Sequence, residues 1–128
     1  MNIPGLITGH IAAVNLAPYS IVKPTADDGV VTPAGSGTEP LAGVTTNVGT
    51  TAGKHADVVR SGLSPVRYGG SIRACYPITA DENGHAVEVT LPVTETTFIV
   101  GYAEVAGAAG DIGSVNIMPS VLAATSGA

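Results

Sequence analysis

No stretch of this sequence longer than eight residues lacks both glycine and proline. The 17 glycines and 9 prolines make up about a fifth of the 128 residues. In a helix interior, relative to Ala, Pro costs about 3 kcal/mol and Gly about 1 kcal/mol. This distribution excludes helical bundles, coiled coils and any fold that depends on a long amphipathic helix.

The segments between these residues have the alternation and composition of β-strands. Apolar residues at 87, 89 and 91 alternate with polar neighbours, and 97–103 is an almost continuous apolar run. The predicted strands are 19–23, 86–91, 97–103 and 114–118, the last of which ends at Pro119. The stretch 56–68 is also rich in β-forming residues, but its alternation breaks near Gly62 and Pro65, which indicates a bulge or an edge bend.

Three pieces of sequence recur in the same order along the chain, which indicates a weak internal duplication. The recurring pieces are 24–29 with 77–84, 41–45 with 99–103, and 51–54 followed by Val58 with 108–111 followed by Val115. The turns between them differ in length while the order holds, so each copy is expected to be a strand-turn-strand unit.

Charged residues make up only 12% of the chain, but 45% of the residues are apolar, so the low charge does not indicate disorder. The sequence therefore predicts an all-β fold, a small single-domain β-barrel or β-sandwich of eight or so short strands built from the duplication. At most one or two short helical turns are expected, at 10–17 or 103–109. We expect an N-terminal arm at 1–18, a β domain at 19–119 and a C-terminal tail at 120–128.

The charge argues against nucleic acid as a partner, because a net charge of −5 has the wrong sign for binding phosphates. All five cations lie in residues 1–73, whereas 74–128 carry six acids and no cation. The uncharged stretches at either end are too interrupted or too short for a signal peptide or a membrane span, so we expect synthesis in the cytoplasm and no membrane partner. The single Cys75 excludes an internal disulfide and is expected to be a small buried side chain.

The chain offers little for catalysis or metal binding. His10, His55 and His85 are the candidates for acid–base chemistry, but none stands in a metal-ligating or catalytic motif. The residues predict no cofactor, no metal and no enzymatic activity. A small hydrolase that uses His10 or His85 is an alternative that the histidines leave open.

Several segments, taken in order, resemble a known family. Residues 76–87 read YPITADENGHAV, residues 99–111 read IVGYAEVAGAAGD, and residues 114–119 read SVNIMP. These are similar to the consecutive strand and turn motifs of small bacteriophage capsid decoration proteins, also called head cement proteins. Residues 40–45 and 56–62 look like the equivalents in the first copy, so the resemblance covers roughly residues 20–119.

The resemblance implies a structural protein of the virion rather than an enzyme. Such a protein is made in the host cytoplasm, binds the outside of the expanded head and cements adjacent major capsid protein subunits non-covalently. The resemblance also implies a homo-oligomer, a trimer with a dimer as the alternative. An alternative function is a β-sandwich adhesion or carbohydrate-binding module of a phage tail or fibre.

Two groups of residues are candidate contacts with the capsid or with another protomer. The first group is apolar and lies in the uncharged arm, and the second group consists of arginines: Ile3, Leu6, Ile7, Ile11 and Leu16, and then Arg60, Arg67 and Arg73. The arm is expected either to add to a capsid strand or to form the first strand of the domain's own sheet. The arginines are expected either to pair with acids of a partner or to be solvated.

Overall fold

The computed structural model describes residues 3–123. Within that range the chain is all-β and forms no helix, so it has no helix of the length and apolarity needed to cross a membrane. The strands are β1 (Ile3–Pro4), β2 (Ile7–Ala12), β3 (Ile21–Pro24), β4 (Val30–Pro33), β5 (Gly43–Thr45), β6 (His55–Val59), β7 (Gly62–Arg67), β8 (Pro77–Ala80), β9 (Ala86–Glu88), β10 (Thr97–Ala103) and β11 (Ile112–Leu122).

These strands form a closed barrel and a second sheet. The barrel has the order β2-β4-β3-β5-β6, in which the β2–β4 pair is parallel and the other pairs are antiparallel. The second sheet has six strands in the order β1-β7-β11-β10-β8-β9. The all-β class and the single small domain predicted from the sequence are confirmed.

The two sheets are two copies of one unit, as the duplication predicts. The order in which strands are hydrogen-bonded to one another is the same in both sheets. By this order β2 matches β7, β3 matches β8, β4 matches β9, β5 matches β10 and β6 matches β11. Even the parallel pair recurs: Ala12 pairs with Val31 in the barrel, and Tyr68 forms a parallel bridge to Ala86 in the second sheet. The second sheet is therefore a less completely closed version of the barrel.

The backbone of the turns repeats with the strands. Tyr19 and Cys75 occupy matching positions and have φ values of 58° and 69°, the left-handed region that non-glycine residues rarely adopt. Gly29 and Gly84 match with φ values of 74° and 76°. The match corrects one detail of the sequence alignment. Because Val22 pairs with Gly43 and Ile78 with Gly101, Pro24 corresponds to Ala80 and not to Pro77.

The core consists mainly of aliphatic side chains, together with the buried Tyr68, and forms two clusters. One fills the barrel, and its members are Ala12, Leu16, Val22, Val31, Ala42, Ala56 and Val58. The larger one lies between the barrel and the second sheet and includes Ile21, Val44 and Val59 from the barrel side and Tyr68, Ile78 and Ile117 from the other. Backbone hydrogen bonds also join the copies, with Ile21 N–H donating to the Gly84 carbonyl at 2.8 Å. The copies therefore share one core.

Several predicted strand limits are wrong, for identifiable reasons. The segment 56–68 is two strands, β6 in the barrel and β7 in the second sheet, because the chain bends at Ser61 and Gly62 has a φ of 91°. Strand β11 continues through Pro119 to Leu122, because its register against β10 shifts at this point and the missing proline N–H falls in the irregularity. The predicted strand 86–91 is paired only over Ala86–Glu88, and 19–23 begins pairing at Ile21.

Three further expectations are corrected or completed by the fold. The segments 10–17 and 103–109 hold strand ends and turns, with no helical turn. Cys75 is exposed in its turn and is not the small buried side chain expected. The tail predicted at 120–128 begins inside β11, and its last residues, 124–128, lie outside the described residues.

Candidate functional site

Strand β2 presents apolar side chains to solvent and polar ones to the barrel. Ile7 is 45% exposed and Ile11 44%, and Leu6, just before the strand, is 55% exposed. The alternate residues Thr8 and His10 are half-buried. This orientation follows from pairing, because β2 closes the barrel between β4 and β6 and successive side chains in a strand point to opposite faces. The result is an exposed apolar surface on β2, formed by Ile7 and Ile11, and the exposed Leu6 stands just before it.

The N-terminal segment is thus integrated into the domain. Its residues 7–11 pair antiparallel with β6, and Ile3–Pro4 pairs with β7 at the edge of the second sheet. Of the two alternatives for the arm, the structure corresponds to the strand of the domain's own sheet. Contact of the same segment with a capsid stays a prediction.

Leu16 does not belong with the exposed apolar residues. It is 3% exposed, packs in the barrel core and pairs through its backbone with Thr50. Because its side chain is covered by the protein's own core, its assignment as a contact residue is corrected. The backbone of Ile3 pairs with Leu63, and its side chain lies outside the described part of the structure.

The three candidate arginines occupy different environments. Arg73 is exposed, and its guanidinium forms a bidentate pair with Glu88, with Nη2 donating to Oε1 at 2.7 Å, and stacks 3.8 Å from the centre of the Tyr76 ring. Hydrogen bonding from Arg73 lowers the pKa of the Glu88 carboxyl, and the same bond raises the pKa of Arg73. Arg67 is half-buried on β7. Arg60 is half-buried just after β6.

Arg60 and His10 line a polar cleft at one end of the barrel. The cleft has a volume of about 340 Å³ and is bounded by the β3–β4 turn and the start of β5. Its lining residues are His10, Pro24, Thr25, Asp27, Asp28, Gly29, Val30, Val31, Pro40, Leu41, Ala42 and Arg60. The backbone N–H of Arg60 donates to the Leu6 carbonyl at 2.7 Å, so the cleft lies beside the exposed Leu6 that precedes β2.

Two nitrogens in this cleft have no partner. Within residues 3–123, His10 Nδ1 and Arg60 Nε are buried without a hydrogen bond. The other ring nitrogen, His10 Nε2, lies 2.6 Å from the Thr8 hydroxyl. Burial lowers the pKa of His10, the positive charge of Arg60 lowers it further, and the Gly29 carbonyl partly offsets both. The ring is therefore neutral at pH 7.

The sequence indicates His10 as a candidate for catalysis and Arg60 as a candidate contact, but as two unrelated residues. Nothing in a linear sequence shows that β2 and the end of β6 converge. The internal duplication does distinguish these two positions. In the second copy, the positions that match His10 and Arg60 hold Val66 and Ile117, so polar residues stand where the fold accepts apolar ones.

The remaining histidines are in ordinary surface positions. His55 Nε2 lies 2.8 Å from Asp57 Oδ1 on the exposed side of β6. The backbone N–H of His85 donates to Asp81 Oδ1 at 2.9 Å within the 81–84 turn. In the part of the chain from 3 to 123, no three His, Cys, Asp or Glu side chains are grouped as metal ligands would be.

Comparison with solved structures gives an informative likeness. No family model matches the sequence, and no curated protein matches it either. Among solved structures, the chain is similar to the head fiber gp8.5 N base of bacteriophage phi29, with a TM-score of 0.67 and 20% sequence identity. The likeness covers 88% of this chain and 93% of the other. The chain thus shares its fold with a phage head protein, which agrees with the phage head resemblance found in the sequence.

Proposed function

We propose that this chain is a structural protein of a phage virion that binds the outside of the expanded head. In this role it cements adjacent major capsid subunits without covalent bonds and carries out no enzymatic reaction. The observation that supports the proposal most directly is the fold shared with a head fiber base over 88% of the chain. The ordered motifs similar to those of head decoration proteins support it independently.

The exposed apolar surface on β2 gives the proposed interaction a physical basis. Ile7 and Ile11 are about half exposed on a strand that contains no Asp, Glu, Lys or Arg, and Leu6 just before it is also exposed. Burying apolar surface of this kind contributes about 25 cal/mol per Å². We propose that this surface contacts the major capsid protein, and that the protein acts as a homotrimer. Several weak contacts made at once by one oligomer then give strong attachment.

The experiment is binding of the purified protein to expanded, undecorated heads. We expect saturable binding that repeats over the capsid lattice, together with a higher temperature of head rupture. Analytical ultracentrifugation of the free protein tests the trimer. The absence of binding at micromolar concentration contradicts the proposed function.

A second candidate is the attachment base of a fibre or an adhesion module, which is favoured by the fiber base to which the fold is similar. The two functions predict different occupancies. A cement protein occupies equivalent positions throughout the lattice and raises the rupture temperature, whereas a fibre base occupies fewer positions and leaves the rupture temperature unchanged. Glycan binding by the purified protein favours an adhesion module.

A further inference from the structure

The duplicated fold provides an internal control for the polar cleft of the barrel. In the barrel His10 pairs with Ala56, and in the second sheet Val66 pairs with Gly113 at the matching place. Val44 matches Tyr102, and these residues pair with Val59 and Asn116, so Val59 matches Asn116. The residue that follows each of them is Arg60 in the barrel and Ile117 in the second sheet, so these two also match. The same two positions of the same fold can therefore be compared directly.

In the second copy both positions belong to the core. Val66 is 0% exposed and Ile117 is 1% exposed, and both lie in the larger hydrophobic cluster. In the barrel the same positions hold a histidine and an arginine that line an open cleft of about 340 Å³. The fold therefore does not require polar residues here. A buried polar atom without a partner is destabilising, so an apolar version of the barrel is expected to be more stable.

The two unpartnered nitrogens define the chemistry of a ligand. The Arg60 guanidinium is a permanent cation and a donor of hydrogen bonds, and its Nε is buried without an acceptor. When the Thr8 hydroxyl donates to His10 Nε2, the proton of the ring lies on Nδ1, which is then a second donor. The Gly29 carbonyl, which faces this ring, already accepts from the Ile11 N–H at 2.9 Å. One positive charge and two donors match a carboxylate, which accepts at both oxygens.

The rim of the cleft narrows the choice of ligand. Asp27 and Asp28 also line the cleft, are exposed, and form no ion pair with Arg60 in the described part of the chain. These two negative charges repel a polyanion such as nucleic acid more strongly than they repel a single carboxylate. The exposed Leu6, whose carbonyl accepts from the Arg60 N–H, favours a carboxylate presented by a protein surface.

We propose that this cleft is a carboxylate-binding site that holds an acidic side chain of the capsid. Arg60 provides the charge and one donor, and His10 provides the second donor. The capsid as the source of the carboxylate rests on the proposed function, whereas the binding chemistry of the cleft does not. The two parts are therefore tested separately.

The first experiment uses the free protein and a small probe. N-acetylglutamate amide, which presents one side-chain carboxylate, is titrated while the ring resonances of His10 are followed by NMR at constant ionic strength. We expect saturable shifts at millimolar probe, no saturation with the matched N-acetylglutamine amide, and affinity at least about tenfold lower in Arg60→Gln. Lys54→Gln, which removes an equal charge at an exposed position outside the cleft, is expected to bind like the parent.

Three results would overturn the carboxylate site: no saturable shift in the parent protein, equal binding of the glutamine amide, or parent-like binding by a folded Arg60→Gln. The second experiment measures binding of the same variants to undecorated heads. We expect Arg60→Gln to bind heads at least about tenfold more weakly than Lys54→Gln. Equal binding of the two variants overturns the capsid as the source. Failure of the parent to bind heads contradicts the proposed function and leaves the NMR result to decide the cleft.

Discussion

Gly43 and Gly101 occupy the same position in the two copies, and each lies against the backbone of the neighbouring strand. A Cβ built on Gly43 would collide with the carbonyl oxygen of Val59, and one built on Gly101 would collide with that of Asn116. The backbone at both positions has a φ of 158°. Backbone atoms cannot move aside as the end of a flexible side chain can, so both positions require glycine.

We therefore expect Gly43→Ala and Gly101→Ala each to lower the free energy of unfolding by at least about 2 kcal/mol, as overpacking against a fixed backbone does. Gly35→Ala is the matched control, because a Cβ there meets no atom within 4 Å. Urea denaturation followed by circular dichroism measures all three. Equal stability of Gly101→Ala and Gly35→Ala would contradict the close approach.

The polar cleft predicts a stabilised variant. Replacing His10 and Arg60 together by Val and Ile, the residues at the matching positions of the second copy, is expected to raise the free energy of unfolding by about 1–3 kcal/mol, because buried unpartnered polar groups are removed. The same variant should lose binding of the glutamate probe. The reverse change, Ile117→Arg, is expected to destabilise by more than about 3 kcal/mol, since it buries an unpaired charge. A destabilised double variant would show that the two polar residues support the fold.

His10 predicts a specific pH dependence. Burial lowers its pKa, as does the charge of Arg60, while Thr8 and the Gly29 carbonyl also contact or face the ring and Asp27 and Asp28 lie at the rim. The folded state therefore binds this proton less readily than the unfolded chain, whose histidine pKa is about 6.5. Stability from this group is present above that pH and is lost as the pH falls toward the folded pKa.

We expect the melting temperature to fall more for the parent protein than for His10→Gln between about pH 7.5 and about pH 5.5. Differential scanning calorimetry at the two pH values gives the comparison. His85→Gln serves as a control for the loss of a histidine elsewhere. The same fall in the parent and in His10→Gln would show that His10 does not contribute.

The Arg73–Glu88 pair predicts a measurable shift of a carboxyl group. Because hydrogen bonds from Arg73 lower the pKa of Glu88, Arg73→Gln is expected to raise that pKa toward its ordinary value. Both groups are at the surface, so the change in stability should be small, and it should appear only where the carboxylate is ionised and fade as the pH falls through the folded pKa. NMR titration of the Glu88 side chain measures the shift. Lys54→Gln should leave it unchanged.

The apolar surface on β2 and the barrel core respond differently to substitution. Ile11→Thr is expected to change the free energy of unfolding by no more than about 0.5 kcal/mol and to weaken binding to heads, because the side chain is exposed. Leu16→Ala is expected to cost about 2–5 kcal/mol, because it leaves a cavity in the barrel core. Unchanged head binding by Ile11→Thr, Ile7→Thr and Leu6→Ser would exclude this surface as the capsid contact.

Deletion of residues 1–18 cannot distinguish a loss of head binding from a loss of stability. It would remove β2, which pairs on one side with β6 and on the other with β4 and so closes the barrel. It would also remove the backbone N–H and carbonyl that Leu16 exchanges with Thr50. Point substitutions on the exposed face are therefore the appropriate test of the N-terminal segment.

The all-β class and the duplication were available from the sequence because they depend on local chemistry. Glycine and proline restrict the backbone wherever they occur, so their spacing excludes helices and marks turns such as those at Gly29 and Gly84 without reference to the rest of the chain. The almost continuous apolar run of 97–103 likewise indicates one strand of the core. Strand limits at Pro119 and Gly62 were less certain, because a proline or glycine interrupts a strand only where the register requires its N–H or its φ.

The tertiary structure decides which strands pair and which side chains come together. Whether the N-terminal segment completes the domain's own sheet does not follow from the sequence, because it depends on the pairing of β2 with both β4 and β6. The sequence also does not show that His10 lies near Arg60, or that Leu16 is buried while Ile11 is exposed. Each of these outcomes depends on which strands close the barrel. The frequent glycines and prolines made short strands obligatory, and only the closure of those strands determined which side chains became core, surface and cleft.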